Sequence, residues 1–218
     1  MTNVNFRDAC SSTIEIIHNF HDWIIMIIIS ISVLTIRTLI IICRNHYSYR
    51  EFKDIQGLES FWTIVPTLIL AAIAIPSLKL LYIVDRRDAH GLSVKAVGRQ
   101  WYWQYDYPML PTFDSYMTRR EYRLLDVDNR LQAHIGCAFQ ILITAADVLH
   151  SWTLPAMGIK ADAVPGRVNK VLLDSKRAGV FYGQCSEICG RNHRFMPISI
   201  ECSIFNYRYT LKVLADKS

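Results

Sequence analysis

The chain has 218 residues, of which 51% are hydrophobic, and its formal net charge is +5 at pH 7. This length allows one medium domain with additional segments, and the apolar share is high for a purely water-soluble protein. Of the six cysteines, only Cys185 and Cys189 lie close together in the sequence. A small domain held together by a dense disulfide framework is therefore excluded.

Two long apolar runs occupy the first part of the chain, at residues 23–43 and 61–84. Each has the length of about 20 residues that a helix needs to cross a bilayer. We predict a transmembrane helix over each run, preceded by an N-terminal lead at residues 1–22. The lipid bilayer is therefore an expected partner.

The linker between the two runs, residues 44–60, is polar and carries Arg44, Arg50 and Lys53. Short basic loops stay on the cytoplasmic or matrix side of a membrane. Two spans then carry both termini to the opposite side. Residues 1–84 contain six basic and six acidic side chains, so the net charge of +5 belongs to residues 85–218.

From residue 92 onward, apolar and polar residues begin to alternate. Such runs are typical of half-buried strands, and they occur at residues 93–97, 101–105, 123–127, 139–145, 171–173, 180–182 and 198–202. Short strands separated by turn residues favour a β-sandwich or a β-barrel. We therefore predict an all-β domain at residues 85–218.

A dense group of soft metal-ligand types follows the sixth of these runs. Cys185, Cys189, His193 and Met196 lie within twelve residues. Thiolate and thioether ligands select copper, and a histidine–cysteine set with a weak methionine is typical of electron-transfer sites. His150, which follows the predicted strand at 139–145, is the candidate for a second imidazole.

These ligands favour two metal ions over one. Both cysteine sulfurs can bridge a pair of copper ions, each of which then takes one imidazole, from His150 or His193. Met196 and the backbone carbonyl of Glu187 would be weak axial ligands.

Two alternatives remain open on spacing alone. Cys185 and Cys189 could form a disulfide, or they could join the two histidines in a structural zinc site. Met196 has no role in either alternative.

The sequence around these residues resembles the cytochrome c oxidase subunit II family. The resemblance runs from about residue 20 to residue 205. It includes residues 62–66 (WTIVP), 76–78 (PSL), 100–103 (QWYW), 113–116 (FDSY), 123–130 (RLLDVDNR), 147–152 (DVLHSW) and 182–197. The order and spacing of these motifs, after two predicted spans, are specific to that family.

The resemblance implies a role for each matching residue. The implied ligands of a dinuclear copper centre (CuA) are His150, Cys185, Glu187 through its carbonyl, Cys189, His193 and Met196. The Glu187 side chain is implied to reach a magnesium ion shared with subunit I. Trp101 matches the residue at which electrons arrive from cytochrome c, and Glu59 matches a carboxylate at the mouth of a proton path.

The family further implies a membrane-anchored α+β protein, in which a two-helix transmembrane hairpin precedes a cupredoxin-like antiparallel β-barrel. Such a chain passes electrons from cytochrome c to haem in subunit I, where oxygen is reduced to water and protons are pumped. The implied location is the mitochondrial inner membrane, with the linker at 44–60 on the matrix side and the β domain in the intermembrane space. The implied partners are subunit I, other oxidase subunits and cytochrome c, and nucleic acid is not among them.

Some residues depart from the family's usual pattern. Small residues are usual at the positions of Arg191 and Arg194, and the surface that receives the basic cytochrome c is usually acidic. A β domain with a net charge of +5 is unexpected for that role, although net charge does not determine local potential.

Overall fold

The computed structural model describes residues 8–46, 55–85, 93–108, 110–119, 122–136 and 139–204. Two long helices come first, α1 (Ser12–Arg44) and α2 (Gln56–Val84). The strands that follow are β1 (Ser93–Arg99), β2 (Tyr102–Asp106), β3 (Phe113–Ser115), β4 (Leu131–His134), β5 (Phe139–Ala145), β6 (His150–Leu154), β7 (Ile159–Ala163), β8 (Asn169–Leu173), β9 (Gly179–Gln184) and β10 (Pro197–Ser203).

Both helices are long and apolar enough to cross a membrane, with mean hydropathies of 2.6 and 2.1 over their most apolar segments. Each contains the span predicted from sequence and begins earlier than that span. Ser11 accounts for the early start of α1, because its hydroxyl accepts a hydrogen bond from the backbone N–H of Ile14 at 3.2 Å. The centre of the predicted linker, including Arg50 and Lys53, lies outside the described residues.

The strands form three sheets, with the orders β3-β2-β1-β5-β8, β4-β10-β9 and β6-β7. The predicted arrangement of two membrane helices followed by a cupredoxin-like β domain is confirmed. The predicted antiparallel barrel differs from the structure in two respects, of which the first is that β1 pairs with β5, and β4 with β10, in parallel. The described strands also form separate sheets rather than a closed barrel. Alternation of side chains specifies which face is buried, but it does not specify the direction of the partner strand.

Most of the predicted strands are found close to their predicted positions, and one is absent. Residues 123–127 form a turn, in which the N–H groups of Leu125 and Asp126 both donate to the Tyr122 carbonyl, at 3.1 and 3.2 Å. Leu124 has a positive φ of 66°, which a strand does not allow. Val127 makes only an isolated bridge with Met117.

The core of the β domain is rich in aromatic side chains. Trp103, Tyr105 and Trp152 are fully buried. The indole N–H of Trp152 donates to the Tyr105 hydroxyl at 3.2 Å, as buried amphipathic rings generally require. This bond joins β2 to β6, the strand that begins at His150.

A short N-terminal segment, residues 8–15, packs with the β strands as one compact unit, whereas residues 16–84 form the other. The Cys10 N–H donates to the Ala156 carbonyl at 3.1 Å, and the Cys10 carbonyl accepts from Lys176 N–H at 2.8 Å. Ser11 Oγ donates to the Met157 carbonyl at 2.8 Å.

Burial, with a smaller contribution from Cys202, raises the pKa of the Cys10 thiol to about 12. The thiol therefore stays protonated and donates to Ala156.

Candidate metal centre

The loop that joins β9 to β10 carries four of the predicted ligand side chains. Gln184 at the end of β9 pairs with Pro197 at the start of β10, so the loop is closed at its base. The Ser186 N–H donates to the Ser151 carbonyl at 3.1 Å. This bond holds the start of the loop against β6, beside His150, which is the first residue of that strand.

Cys185 lies between one imidazole and one carbonyl. Its Sγ atom is 3.9 Å from Nδ1 of His150 and donates to the backbone carbonyl of Glu187 at 3.3 Å. Cys185 is 7% exposed and His150 is fully buried.

Cys189 has the corresponding pair of neighbours on the other side. Its Sγ atom is 3.4 Å from Nδ1 of His193 and 3.4 Å from the thioether sulfur of Met196. Cys189 and Met196 are buried, and His193 is half-buried. The six atoms named from the sequence therefore lie together, with each thiol next to one imidazole and one weak donor.

The donor atoms fit a metal centre. The ligand atoms of His150, Cys185 and Cys189 all lie within 4.8 Å of one another. Metal–sulfur and metal–nitrogen bonds in such sites are about 2.0–2.3 Å long, so small movements of these side chains would bring their ligand atoms onto a common ion. Because the group is buried, water competes little for the positions around a bound ion.

The two thiols have different acidities in the metal-free protein. Burial opposes ionisation of Cys185, but the hydrogen bond to His150 and backbone N–H groups outweigh it, so its pKa is lowered. Burial and the neighbouring Cys185 raise the pKa of Cys189 to about 12. Burial opposes protonation of His150, yet Cys185 and Asp147 outweigh it and raise the pKa of the imidazole. Metal binding must therefore release protons from these groups.

Two glycines leave the space that this arrangement requires. A Cβ atom at Gly98 on β1 would lie 2.8 Å from Cδ2 and 2.9 Å from Cγ of His150. A Cβ atom at Gly183 would collide with the carbonyl of Thr153. On another side of the His150 ring, Trp103 makes an edge contact with a centroid distance of 5.9 Å.

Trp101 lies directly against the loop. Its indole N–H donates to the Cys189 carbonyl at 3.3 Å, and the side-chain amide of Gln100 donates to the same oxygen at 2.8 Å. The ring also packs on Gly190, where an added Cβ would lie 3.2 Å from Cζ2 of Trp101. Gly190 has a φ of 124°, which glycine adopts readily.

The side chains of the remaining predicted site residues are not members of the buried group. The Glu187 side chain is half-buried. Glu59 is exposed in the first turn of α2, which belongs to the other compact unit. Arg191 and Arg194 are exposed on the loop, and the Arg194 guanidinium lies 4.8 Å from the centre of the Phe195 ring.

Sequence reasoning missed three residues around the centre: Gly98, Gln100 and Asp147. Asp147 accepts a hydrogen bond from Nε2 of His150 at 2.9 Å and another from the Gln100 N–H at 2.6 Å. Two signals could have identified it: its place in the motif at residues 147–152, and its position three residues before a candidate histidine ligand, because metal-bound histidines are generally oriented by a second partner.

Comparison with known proteins identifies the family. Residues 92–203 match the family model described as cytochrome c oxidase subunit II, periplasmic domain, and residues 1–80 match the corresponding transmembrane domain. The chain belongs to the cytochrome c oxidase subunit II family.

Individual relatives of the subunit II family agree with this assignment. The chain is 46% identical over 206 residues to cytochrome c oxidase subunit 2 of Branchiostoma floridae, covering 91% of this chain and 90% of the relative. It is 44% identical to the subunit of Drosophila subobscura, covering 99% of this chain and 96% of the relative. The solved periplasmic domain of subunit II (CoxB) of Bradyrhizobium japonicum is 42% identical, with a TM-score of 0.56, and covers 62% of this chain and 97% of that domain.

Membership of the subunit II family makes the chain a membrane subunit of cytochrome c oxidase, which works together with other subunits of that enzyme. It also identifies the buried histidine–cysteine group as a candidate copper site. In the structure Cys185 and Cys189 are free thiols, so the disulfide alternative is not the arrangement seen.

Proposed function

We propose that this chain accepts electrons from cytochrome c at a dinuclear copper (CuA) centre and delivers them to haem in subunit I of cytochrome c oxidase. Oxygen would be reduced to water in subunit I, with coupled proton pumping. The observation that carries the proposal is the division of the six donor atoms into two similar sets, one around Cys185 and the other around Cys189.

The residues proposed to hold copper are His150, Cys185, Glu187 through its carbonyl, Cys189, His193 and Met196. When bound, a copper pair would supply a one-electron redox couple shared by both ions, and the thiolates of Cys185 and Cys189 would be among the groups that hold it. The protein's contribution is a rigid and buried cradle, so that few atoms need to move when the charge changes. A single zinc ion would be satisfied by four ligands, leaving the thioether of Met196 against Cys189 without a purpose.

Trp101 is proposed as the residue that receives electrons from cytochrome c. Its indole N–H is bonded to the carbonyl of Cys189, so one hydrogen bond and a few covalent bonds separate the ring from the Cys189 sulfur. The side chain is half-buried, which leaves part of it open to a partner protein.

Two acidic residues are proposed for ion and proton chemistry with subunit I. The Glu187 carbonyl faces the thiol of Cys185, while its side chain is half-buried and could hold a magnesium ion shared with subunit I. Glu59 is proposed for the mouth of a proton path because it is exposed at the start of α2. A carboxylate in the first turn is also favourable for the helix dipole.

The proposed location is the mitochondrial inner membrane, with the β domain and residues 8–15 in the intermembrane space. Support comes from the basic linker, which the positive-inside rule assigns to the matrix side. Further support comes from the contacts of Cys10 with Ala156 and Lys176, which require the two ends of the hairpin to lie on one side.

The proposal is tested on the intact oxidase that contains this chain, by metal analysis and electron paramagnetic resonance. We expect two copper ions at this centre, sharing one unpaired electron when oxidised. Cys185→Ser should abolish that signal, because the hydroxyl oxygen of serine is a much poorer ligand for copper than the soft thiolate it replaces. Cys43→Ser is the matched control, since Cys43 is an exposed thiol in α1.

Two results would contradict the proposal. One is zinc at the centre in the purified wild-type oxidase. The other is a copper signal that Cys185→Ser leaves unchanged.

A further inference from the structure

Asp147, in the turn between β5 and β6, uses both carboxylate oxygens in hydrogen bonds with backbone and ring atoms. Oδ1 accepts from Nε2 of His150 at 2.9 Å and from the Val148 N–H at 2.6 Å. Oδ2 accepts from the Gln100 N–H at 2.6 Å. The side chain is 32% exposed, so these bonds are partly shielded from water.

The bond to His150 determines which ring nitrogen can bind a metal. An ionised carboxylate only accepts hydrogen bonds, so Nε2 of His150 must carry the hydrogen. In the neutral ring, Nδ1 then keeps its lone pair, and Nδ1 is the atom that faces Cys185 at 3.9 Å. Gly98 and Trp103 confine the ring from other sides, so Asp147 fixes the tautomer of a ring whose orientation is already restricted.

The bond to Gln100 extends this control to the other half of the centre. The backbone N–H of Gln100 is held by Asp147, while its side-chain amide donates to the Cys189 carbonyl at 2.8 Å. Trp101 donates to the same carbonyl at 3.3 Å. A continuous chain of hydrogen bonds thus runs from His150 through Asp147 and Gln100 to Cys189.

We propose that Asp147 and Gln100 are positioning residues that set the geometry of both halves of the metal centre and connect them to Trp101. This inference rests on the proposed copper function. It differs from the simplest role for a partly exposed carboxylate beside the centre, which is attraction of a basic partner. That role needs only the charge, whereas positioning needs both oxygens as acceptors.

Asp147→Asn separates the two roles because it keeps the shape and removes one acceptor. Its amide group must face either the Gln100 N–H or Nε2 of His150. In the first case the amide N–H and the Gln100 N–H are two donors that face each other. In the second case Nε2 of His150 must accept a hydrogen bond, which favours the His150 tautomer that carries its hydrogen on Nδ1. Asp162→Asn is the matched control, since Asp162 is an exposed carboxylate on β7 and the charge change is the same.

The experiment measures copper content, the electron paramagnetic resonance spectrum and the midpoint potential of the intact oxidase in the absence of cytochrome c, and then the steady-state kinetics with cytochrome c. We expect Asp147→Asn to weaken copper retention against a chelator by about 10–100-fold, the usual effect of losing the partner of a histidine ligand. Its spectrum and potential should also change, and Asp162→Asn should match the wild type. Gln100→Met, which keeps the backbone N–H, should retain copper but slow electron transfer from cytochrome c.

The inference is overturned if Asp147→Asn and Gln100→Met both keep the wild-type spectrum, potential and copper retention and only raise KM for cytochrome c. Haem absorption of the purified enzyme checks that each variant has assembled. If the wild-type oxidase lacks the electron paramagnetic resonance signal of one unpaired electron shared by two copper ions, the proposed function is itself contradicted. That result is distinct from a failure of the inference about Asp147 and Gln100.

Discussion

Gly98 shows how one residue without a side chain can shape the candidate metal centre. The His150 side chain lies so close to β1 that a Cβ atom at Gly98 would come within 3.0 Å of three of its carbon atoms, two of them in the ring. Strand β1 cannot move away easily, because it is paired with β2 on one side and β5 on the other. The ring would have to shift instead.

We therefore expect Gly98→Ala to lower the copper content of the oxidase. Overpacking of this kind costs about 1–3 kcal/mol, and His150 is the group best able to relieve it by turning away from Cys185. Copper per oxidase and the thermal unfolding midpoint would be measured together. Gly57→Ala is the control, because a Cβ atom at Gly57 meets nothing within 4 Å. Equal copper content in both variants would contradict the expectation.

The donor atoms of the centre were predictable from sequence because five of the six lie in one short loop and their chemistry is distinctive. Gly98, Gln100 and Asp147 were not, because their role depends on the parallel pairing of β1 with β5. That pairing puts Gly98 opposite Ala145, two residues before Asp147. Nothing local in the sequence specifies a contact between segments so far apart.

At the scale of elements, the hydrogen bond between Trp152 and Tyr105 fixes β6 against β2. His150 and Ser151 precede Trp152 on β6, so the same strand that anchors the core also presents the imidazole and receives the metal loop. Stability of the core and order at the centre are therefore coupled through one strand.

Replacement of Tyr105 by phenylalanine should destabilise the β domain. Tyr105 and Trp152 are fully buried, so the variant leaves the indole N–H without its acceptor, at a cost of about 1–3 kcal/mol. Thermal unfolding in detergent, followed by near-ultraviolet circular dichroism, measures the effect. Tyr82→Phe serves as control because Tyr82 is 76% exposed on α2. An unchanged midpoint for Tyr105→Phe would mean that the bond contributes nothing net.

The sequence patterns located most strands and both helices, since alternation and long apolar runs are local properties. They failed at residues 123–127, where Leu124 and Leu125 resemble a strand but Tyr122 closes a turn. They also failed for strand direction in β1–β5 and β4–β10. The turn at residues 123–127 is a local structure that a run of apolar residues does not distinguish from a strand, whereas strand direction depends on contacts between distant segments.

For the whole molecule, the contacts of residues 8–15 make the β domain discontinuous in sequence. Ile14 is 6% exposed and packs over Gly158, and Lys176 Nζ lies 2.9 Å from a Glu15 carboxylate oxygen. Gly158 has a positive φ of 69°, which glycine adopts readily, and its lack of a side chain leaves room for Ile14. A fragment beginning at residue 85 would lack part of its own core.

Ile14→Ala should therefore destabilise the β strands, although it lies before both helices in the sequence. Truncation of a buried isoleucine typically costs about 2–5 kcal/mol. The variant should unfold at a lower temperature when followed by the tryptophan signal of the β domain. Ile16→Ala, at a position that is 37% exposed, should have little effect. Equal midpoints for the two variants would show that the N-terminal segment adds no stability.

The docked N-terminal segment also ties folding to the order of biosynthesis. A ribosome makes residues 8–15 first, and it makes the strands that receive them only after both helices. The backbone groups of Ala156, Met157 and Lys176 can bond to Cys10 and Ser11 only if both ends of the chain lie on the same side of the membrane. A chain in which only one of the two helices crossed the membrane would keep Cys10 and Ser11 apart from these partners, so we expect the β domain to be complete only when both helices have inserted.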